Sequence, residues 1–198
     1  MAHVPINRVS VEPAIEPVSV SEVKEAAFIV GDNTYDGYIK NQLIPAARRY
    51  VEQLAKRSLI TQTRIQYYDD LDTVMYLRYG PVQTISSVTY KDSTATQQTL
   101  TASLYTLDAQ TIPARLVEAY NQTYPSSICD TNSVAVTMVS GYGLTAASVP
   151  IIYRRAIILW ASLELHNRVP IACAAEYLAS LGALQSMIAI EGATLEYA

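Results

Sequence analysis

Asp69, Asp70 and Asp72 form the densest run of carboxylates in the chain. Hard oxygen ligands at that spacing are the kind that hold a divalent cation and, through it, a hydrolytic water. The glycine and distal glutamate of a calcium-binding loop do not follow them, so a solvated hairpin turn is the better expectation. His3 lies in a Pro- and Val-containing terminus, where a general base has no fixed geometry. His166 stands beside Glu164 and Asn167, but residues one or two apart do not share a helix face. Its expected role is that of a favourable cation at a helix C-terminus. Cys129 and Cys173 cannot form a CxxC pair, and two His with two Cys leave little material for zinc. Gly141-Tyr142-Gly143 is too short to cradle a phosphate and reads as a chain reversal. No GxGxxG, GxxxxGK[ST] or Gly-x-Ser-x-Gly run occurs. No catalytic residue, metal site or cofactor is expected. The basic pairs Arg48-Arg49, Lys56-Arg57 and Arg154-Arg155 read as solvated helix faces or as contacts for an acidic partner.

Composition narrows the class further. Of 198 residues, 50% are hydrophobic and 16% charged, which is globular rather than disordered. A chain this long buries enough surface to fold without a disulfide or metal staple. The formal net charge of −4 comes with no basic stripe, against a sequence-specific nucleic-acid reader. No apolar run approaches ~18 residues, so no membrane helix is expected. The unusual count is 15 Tyr against one Phe and one Trp. Tyrosine joins apolar area to a polar tip and is enriched at protein interfaces. Much of this aromatic surface is therefore expected to be half-buried in the monomer. Stacking on carbohydrate is the alternative use.

The elements that must position these residues come in three blocks. Residues 1–17 read as an extended N-terminal arm. Residues 18–60 read as helical. Ser19-Val20-Ser21-Glu22 fits a capping box, flanked by a Val18–Val23 staple, and opens a helix to about Ile29. A longer helix follows from about Thr34 to Ala55, with an apolar stripe through Ile39, Leu43, Ala47, Val51 and Leu54. Lys40, Arg48, Arg49 and Glu52 fall off that stripe, and Pro45 inside it predicts a kink. Residues 61–147 read as an antiparallel β unit, the acidic part of the chain. Its candidate strands are Thr63–Tyr68, Val74–Arg78, Ile85–Tyr90, Gln97–Leu100, Tyr105–Asp108, Arg115–Ala119 and Val134–Val139. Residues 148–190 return to helices, from Ser148 to about Asn167 and from about Ala174 to Ile190, and 191–198 are a tail. The expected fold is α+β, a mainly α-helical bundle of N- and C-terminal helices with the β unit inserted.

Several segments, in order, resemble one family. They are Glu16-Pro17-Val18-Ser19-Val20-Ser21-Glu22-Val23-Lys24; Ala46-Ala47-Arg48-Arg49-Tyr50-Val51-Glu52 with Leu59-Ile60-Thr61-Gln62; Tyr79-Gly80-Pro81-Val82 with Ser86-Ser87-Val88-Thr89-Tyr90; Val139-Ser140-Gly141-Tyr142-Gly143 with Val149-Pro150 and Arg155-Ala156-Ile157; and Asn167-Arg168. Over about residues 15–168 the chain is similar to the head–tail connector, or adaptor, proteins of tailed phages and related gene-transfer particles.

That resemblance implies a structural virion protein of the neck, assembled in the host cytoplasm, and not an enzyme. It implies a homo-oligomeric ring, typically of twelve copies, between the portal and the stopper, tail-completion or tail-terminator protein. Genomic DNA would pass through the ring without specific recognition, a passage that mild acidity suits. Subunit or portal contacts are expected from Arg154, Arg155, Tyr177, Leu184, Met187, Leu195 and Tyr197. A carbohydrate- or surface-binding module built on the Tyr-rich β unit is the competing reading. It leaves the helices at both ends without a role.

Overall fold

The computed structural model describes residues 6–128, 130–166, 182–183 and 185–189. The chain forms two compact units, each built from two separate stretches of sequence. The first holds the N-terminal residues up to Ala14 together with Thr61–Gly141. The second holds Ile15–Ile60 and the described residues from Tyr142 onward.

The first unit is all β. A five-stranded antiparallel sheet runs in the order β1-β2-β8-β4-β5 and a three-stranded one in the order β3-β7-β6. The strands are β1 (Asn7–Val11), β2 (Gln62–Tyr68), β3 (Val74–Leu77), β4 (Val82–Lys91), β5 (Gln97–Thr99), β6 (Tyr105–Asp108), β7 (Ala114–Glu118) and β8 (Val134–Ser140). Alternation sets which side chains face inward, because successive residues of a strand point to opposite faces. On β8, Val134, Val136 and Met138 are fully buried while Ala135, Thr137 and Val139 are not. They meet Met75 and Leu77 of β3 and Leu116 of β7, so the two sheets share one apolar core. Strand β4 slips register between Val82 and Thr84 and again between Ile85 and Ser87. The Gln83 side chain donates to Thr61 Oγ1 at 2.9 Å and to the Gly141 carbonyl at 2.7 Å. Between β4 and β5, Asp92 anchors the turn. Its carboxylate takes the Thr94 hydroxyl and amide, the Thr96 amide and the Gln98 side chain at 2.6–3.0 Å. The Thr94 hydroxyl and the Gln98 amide lead in holding Asp92 down to a pKa of about 2.

Strand β2 departs from the usual pattern. Its inward residues are Gln62, Arg64 and Gln66, all buried. Buried polar groups need partners, and Gln66 finds them across the sheets. Its Nε2 donates to the Tyr76 carbonyl at 2.8 Å and to Tyr68 Oη at 2.7 Å. Its Oε1 accepts the Arg78 amide at 2.9 Å and Asn7 Nδ2 at 3.1 Å. One side chain of the larger sheet thus pairs with the backbone of the smaller one.

The second unit is helical. Helix α1 (Val20–Ala26) opens on the full capping box at Ser19 and Glu22. Val18 and Val23 are both buried beside it. Helix α2 (Asp36–Tyr38) passes into one π-helical turn at Ile39–Leu43 and then into α3 (Ile44–Ala55). Where a kink at Pro45 is expected, the structure has this π-helical turn just ahead of the proline. The Ile44 amide reaches back five residues to the Ile39 carbonyl, widening the helix just ahead of the residue that has no N–H to give. Lys56 stops α3 in the left-handed region at φ 52°. Helix α4 (Ile151–His166) begins after Pro150, whose carbonyl accepts the Tyr153 and Arg154 amides. Ala47 and Val51 of α3 share a core with Tyr153, Ala156, Ile157 and Ala161 of α4, and Tyr50 stacks on Trp160 with ring centroids 5.8 Å apart.

The expected mainly α-helical bundle is therefore corrected. The fold is sheet-rich α+β, with eight strands in two antiparallel sheets beside four helices of given bounds among the described residues. One physical reason is local and the other is not. Helix α1 ends at Ala26, and Asn7–Val11, read as an arm, satisfies its backbone by pairing antiparallel with β2. The expected helix over 174–190 lies mostly outside the described residues.

Candidate functional site

The carboxylate run sits where β2 leaves its sheet, and its donors come from the chain around it. Asp69 accepts the Asn132 amide on its carboxylate at 2.9 Å and the Ser133 hydroxyl on its carbonyl at 2.7 Å. Asp70 accepts the Ser127 hydroxyl and the Leu71 amide. Asp72 is exposed. The first two carboxylates tie one loop to the segment at 127–133 instead of converging on a common point. Among the described residues no group of three or more His, Cys, Asp or Glu is arranged to hold a metal ion. No described helix is long and apolar enough to cross a membrane. His166 is exposed in the last turn of α4. Cys129, Cys173 and His3 lie outside the described residues.

Gly141 and Gly143 carry out a reversal. The Gly141 amide donates to the Pro81 carbonyl at 2.9 Å with φ at 141°. A Cβ on Gly143 would lie 2.5 Å from Ser148 Oγ, so only glycine fits there. Chain direction, not phosphate binding, accounts for both.

Arg154 and Arg155 are neighbours with opposite surroundings. Arg154 Nη2 donates to Glu22 Oε1 at 2.6 Å and its Nε to the Pro17 carbonyl at 3.1 Å. It thereby locks α4 onto the capped start of α1. Glu22 receives the Ser19 amide at 2.7 Å on its other oxygen. Burial raises the Glu22 pKa, but the Ser19 hydrogen bonds and the Arg154 charge outweigh it and hold the carboxyl below its ordinary range. Stability from Glu22 is complete above the unfolded value near 4.5 and is lost as pH falls through the lower folded value. Acid titration of unfolding, followed by Trp160 fluorescence, is expected to show a shallower loss below that point in Glu22→Gln than in the native chain. Equal slopes would refute this role.

Arg155 is exposed and has no ion pair or hydrogen bond among the described residues. It lies between Ile151 and Leu159 at four-residue spacing on the outer face of α4, where those two are 65% and 40% exposed. A second exposed apolar feature is the turn after α1. Phe28, the chain's one phenylalanine, is 91% exposed at φ 56°, and Val30 is 74% exposed. Glu25, at the end of α1, and Asp32 stand exposed on either side of Phe28 and Val30 in sequence. Most described tyrosines are half-buried, as their number suggests. Met187 is half-buried, while Tyr177, Leu184, Leu195 and Tyr197 lie outside the described residues.

Two features escaped the sequence reading. Arg48 and Glu52, read as off the apolar stripe, are 3% and 2% exposed. Their i,i+4 opposite charges bracketing Val51 were the available signal. Lys24 is likewise buried, its Nζ donating to Asn33 Oδ1 and Asp36 Oδ1 at 2.8 and 2.9 Å.

With this geometry in hand, the fold can be set beside solved structures. A chain from the virion of a native gene transfer agent particle aligns with TM-score 0.65 at 17% identity, over 84% of this chain and 87% of that one. The chain shares its fold with gene transfer agent proteins. One from the neck of an empty particle, computed with C6 symmetry, gives TM-score 0.65 at 17% identity over 83% and 85%. One from the neck of a native particle, computed with C12 symmetry, gives 0.55 at 16% over 80% and 84%. No protein-family model and no curated protein matches the sequence.

Proposed function

We propose that this protein is a structural component of a phage-like virion, located in the neck. In finer terms it is a head–tail connector, an adaptor that closes into a ring of twelve copies. The ring joins the portal to the stopper or tail-completion protein and lets DNA pass. The carrying observation is the fold shared with neck chains over four-fifths or more of both partners, the symmetries of those neck structures being C6 and C12. The segment resemblance to adaptor proteins supports the same reading independently. So does the use of Asp69 and Asp70 as loop ties, which leaves the densest carboxylate run with a structural task. The C-terminal residues Tyr177, Leu184, Leu195 and Tyr197 belong to this proposal as portal or subunit contacts.

The test is mass photometry of the protein alone and mixed with the portal ring of the same particle. A mass increase of about twelve subunits per portal supports the adaptor role, since such rings close by a repeated head-to-tail contact. No association at low salt, where weak polar contacts survive, would refute it.

A further inference from the structure

We propose that the Phe28–Val30 turn of one copy docks on the outer face of α4 of a second copy, in a head-to-tail contact. This rests on the ring reading and names the surfaces that would close it. The two patches are different surfaces of the same helical unit, so their union is heterologous, the kind of contact that generates rings.

Complementarity decides the occupant. The turn offers Phe28 and Val30 as a small apolar knob, with the exposed carboxylates of Glu25 and Asp32 close by in sequence. The α4 face offers Ile151 and Leu159 as an apolar seat with Arg155 centred between them. One is acidic at its rim and the other basic at its centre. Self-contact of either patch would set like charges together, which disfavours a symmetric dimer.

The backbone adds an independent sign. A phenylalanine at positive φ is a real outlier, because its Cβ crowds the carbonyl. The turn is nevertheless held. The Phe28 amide donates to the Glu25 carbonyl, the Ile29 amide to Lys24 and the Asp32 amide to Ile29. Lys24 also grips Asn33 and Asp36 from beneath. Strain that presents a large aromatic to water is a cost to the monomer, and such strain is retained at functional positions. Buried aromatic anchors commonly dominate an interface.

The experiment follows the full chain by sedimentation equilibrium from micromolar to about 1 mM, a range that resolves weak self-affinity. Phe28→Asn is expected to weaken association at least about 30-fold, the penalty of losing an anchor. Asparagine tolerates positive φ, so the same variant should melt no lower than the native monomer. Glu25→Arg and Arg155→Glu should each weaken association, and the double variant should recover it. A mixture of Phe28→Asn with Ile151→Asp should stop at dimers, since each retains one working surface. Native-like association of Phe28→Asn, or no recovery in the charge swap, overturns the pairing and leaves the ring reading standing. A native chain monomeric up to the highest concentration also overturns it. The portal mixture then decides the ring reading separately.

Discussion

Glu52→Ala is expected to cost about 3–5 kcal/mol, the usual penalty for breaking a buried charge pair. Glu52 is almost wholly inside the helical unit, on the last turn of α3. Its Oε1 accepts the Leu59 amide at 2.9 Å, and Leu59 has no exposed surface. Its Oε2 faces Arg48 Nη1 at 3.4 Å, and Arg48 Nε continues to Glu16 at 2.9 Å. The carboxylate therefore joins the chain entering α1, the body of α3 and the segment leaving it. Alanine orphans a buried amide and removes one of the charges facing a buried guanidinium, and the expected ~3–5 kcal/mol covers both losses together. That sum is a large fraction of a typical 5–15 kcal/mol of stability. Glu52→Gln keeps an acceptor for Leu59 and should lose roughly half as much, since only the charge goes. Urea unfolding read through Trp160, which is stacked in the same unit, measures both. A loss under about 1 kcal/mol for the alanine variant, the scale of an exposed pair, would mean that the cluster is not a stabilising hub.

The second large effect concerns the β unit. Gln66→Leu preserves volume but strands the Arg78 amide and removes one donor from the Tyr76 carbonyl. An orphaned group costs about 1–3 kcal/mol when fully buried and less in part-buried bonds such as these two, so the variant should lose about 1–3 kcal/mol. The Tyr68 hydroxyl still reaches the Tyr76 carbonyl at 2.7 Å, which keeps the loss below two full groups. Hydrogen exchange gives a site-specific readout. The Arg78 amide, protected by Gln66 in the native chain, should exchange faster by a larger factor than amides inside β8. Uniform acceleration across the unit would show a general loss of packing and no special role for the side chain.

Local signals carried the sequence reading far. Ser19 and Glu22 are three residues apart, and their reciprocal bonds need nothing from the rest of the chain. The seven strands expected between residues 63 and 139 all exist, because alternation and turn residues are written in short windows. What failed is non-local. β1 carries no strong alternation, and its polar Asn7 makes sense only opposite Gln66 and Arg64, more than fifty residues away. Arg48 and Glu52 looked like a solvated face because charge is normally paid for by water. Their burial depends on Glu16 and Leu59, which no helical wheel contains. The balance of sheet to helix was misjudged for the same reason: it is set by which distant segments pair. The candidate site was less legible. Arg154 and Arg155 look alike in sequence, yet one is spent on Glu22 and the other faces outward.

The two-part construction of the helical unit has a consequence for birth on the ribosome. Helices α1 and α3 leave the exit tunnel first, and α4, which covers them, follows only after the whole of β2 to β8. At ordinary translation rates that delay is on the order of 5–20 s. Throughout it, Ile44, Ala47 and Val51 have no lasting cover. A nascent chain in that window is a natural client for chaperones. Slowed synthesis between Thr61 and Gly141 should favour aggregation more than slowed synthesis anywhere else in the sequence.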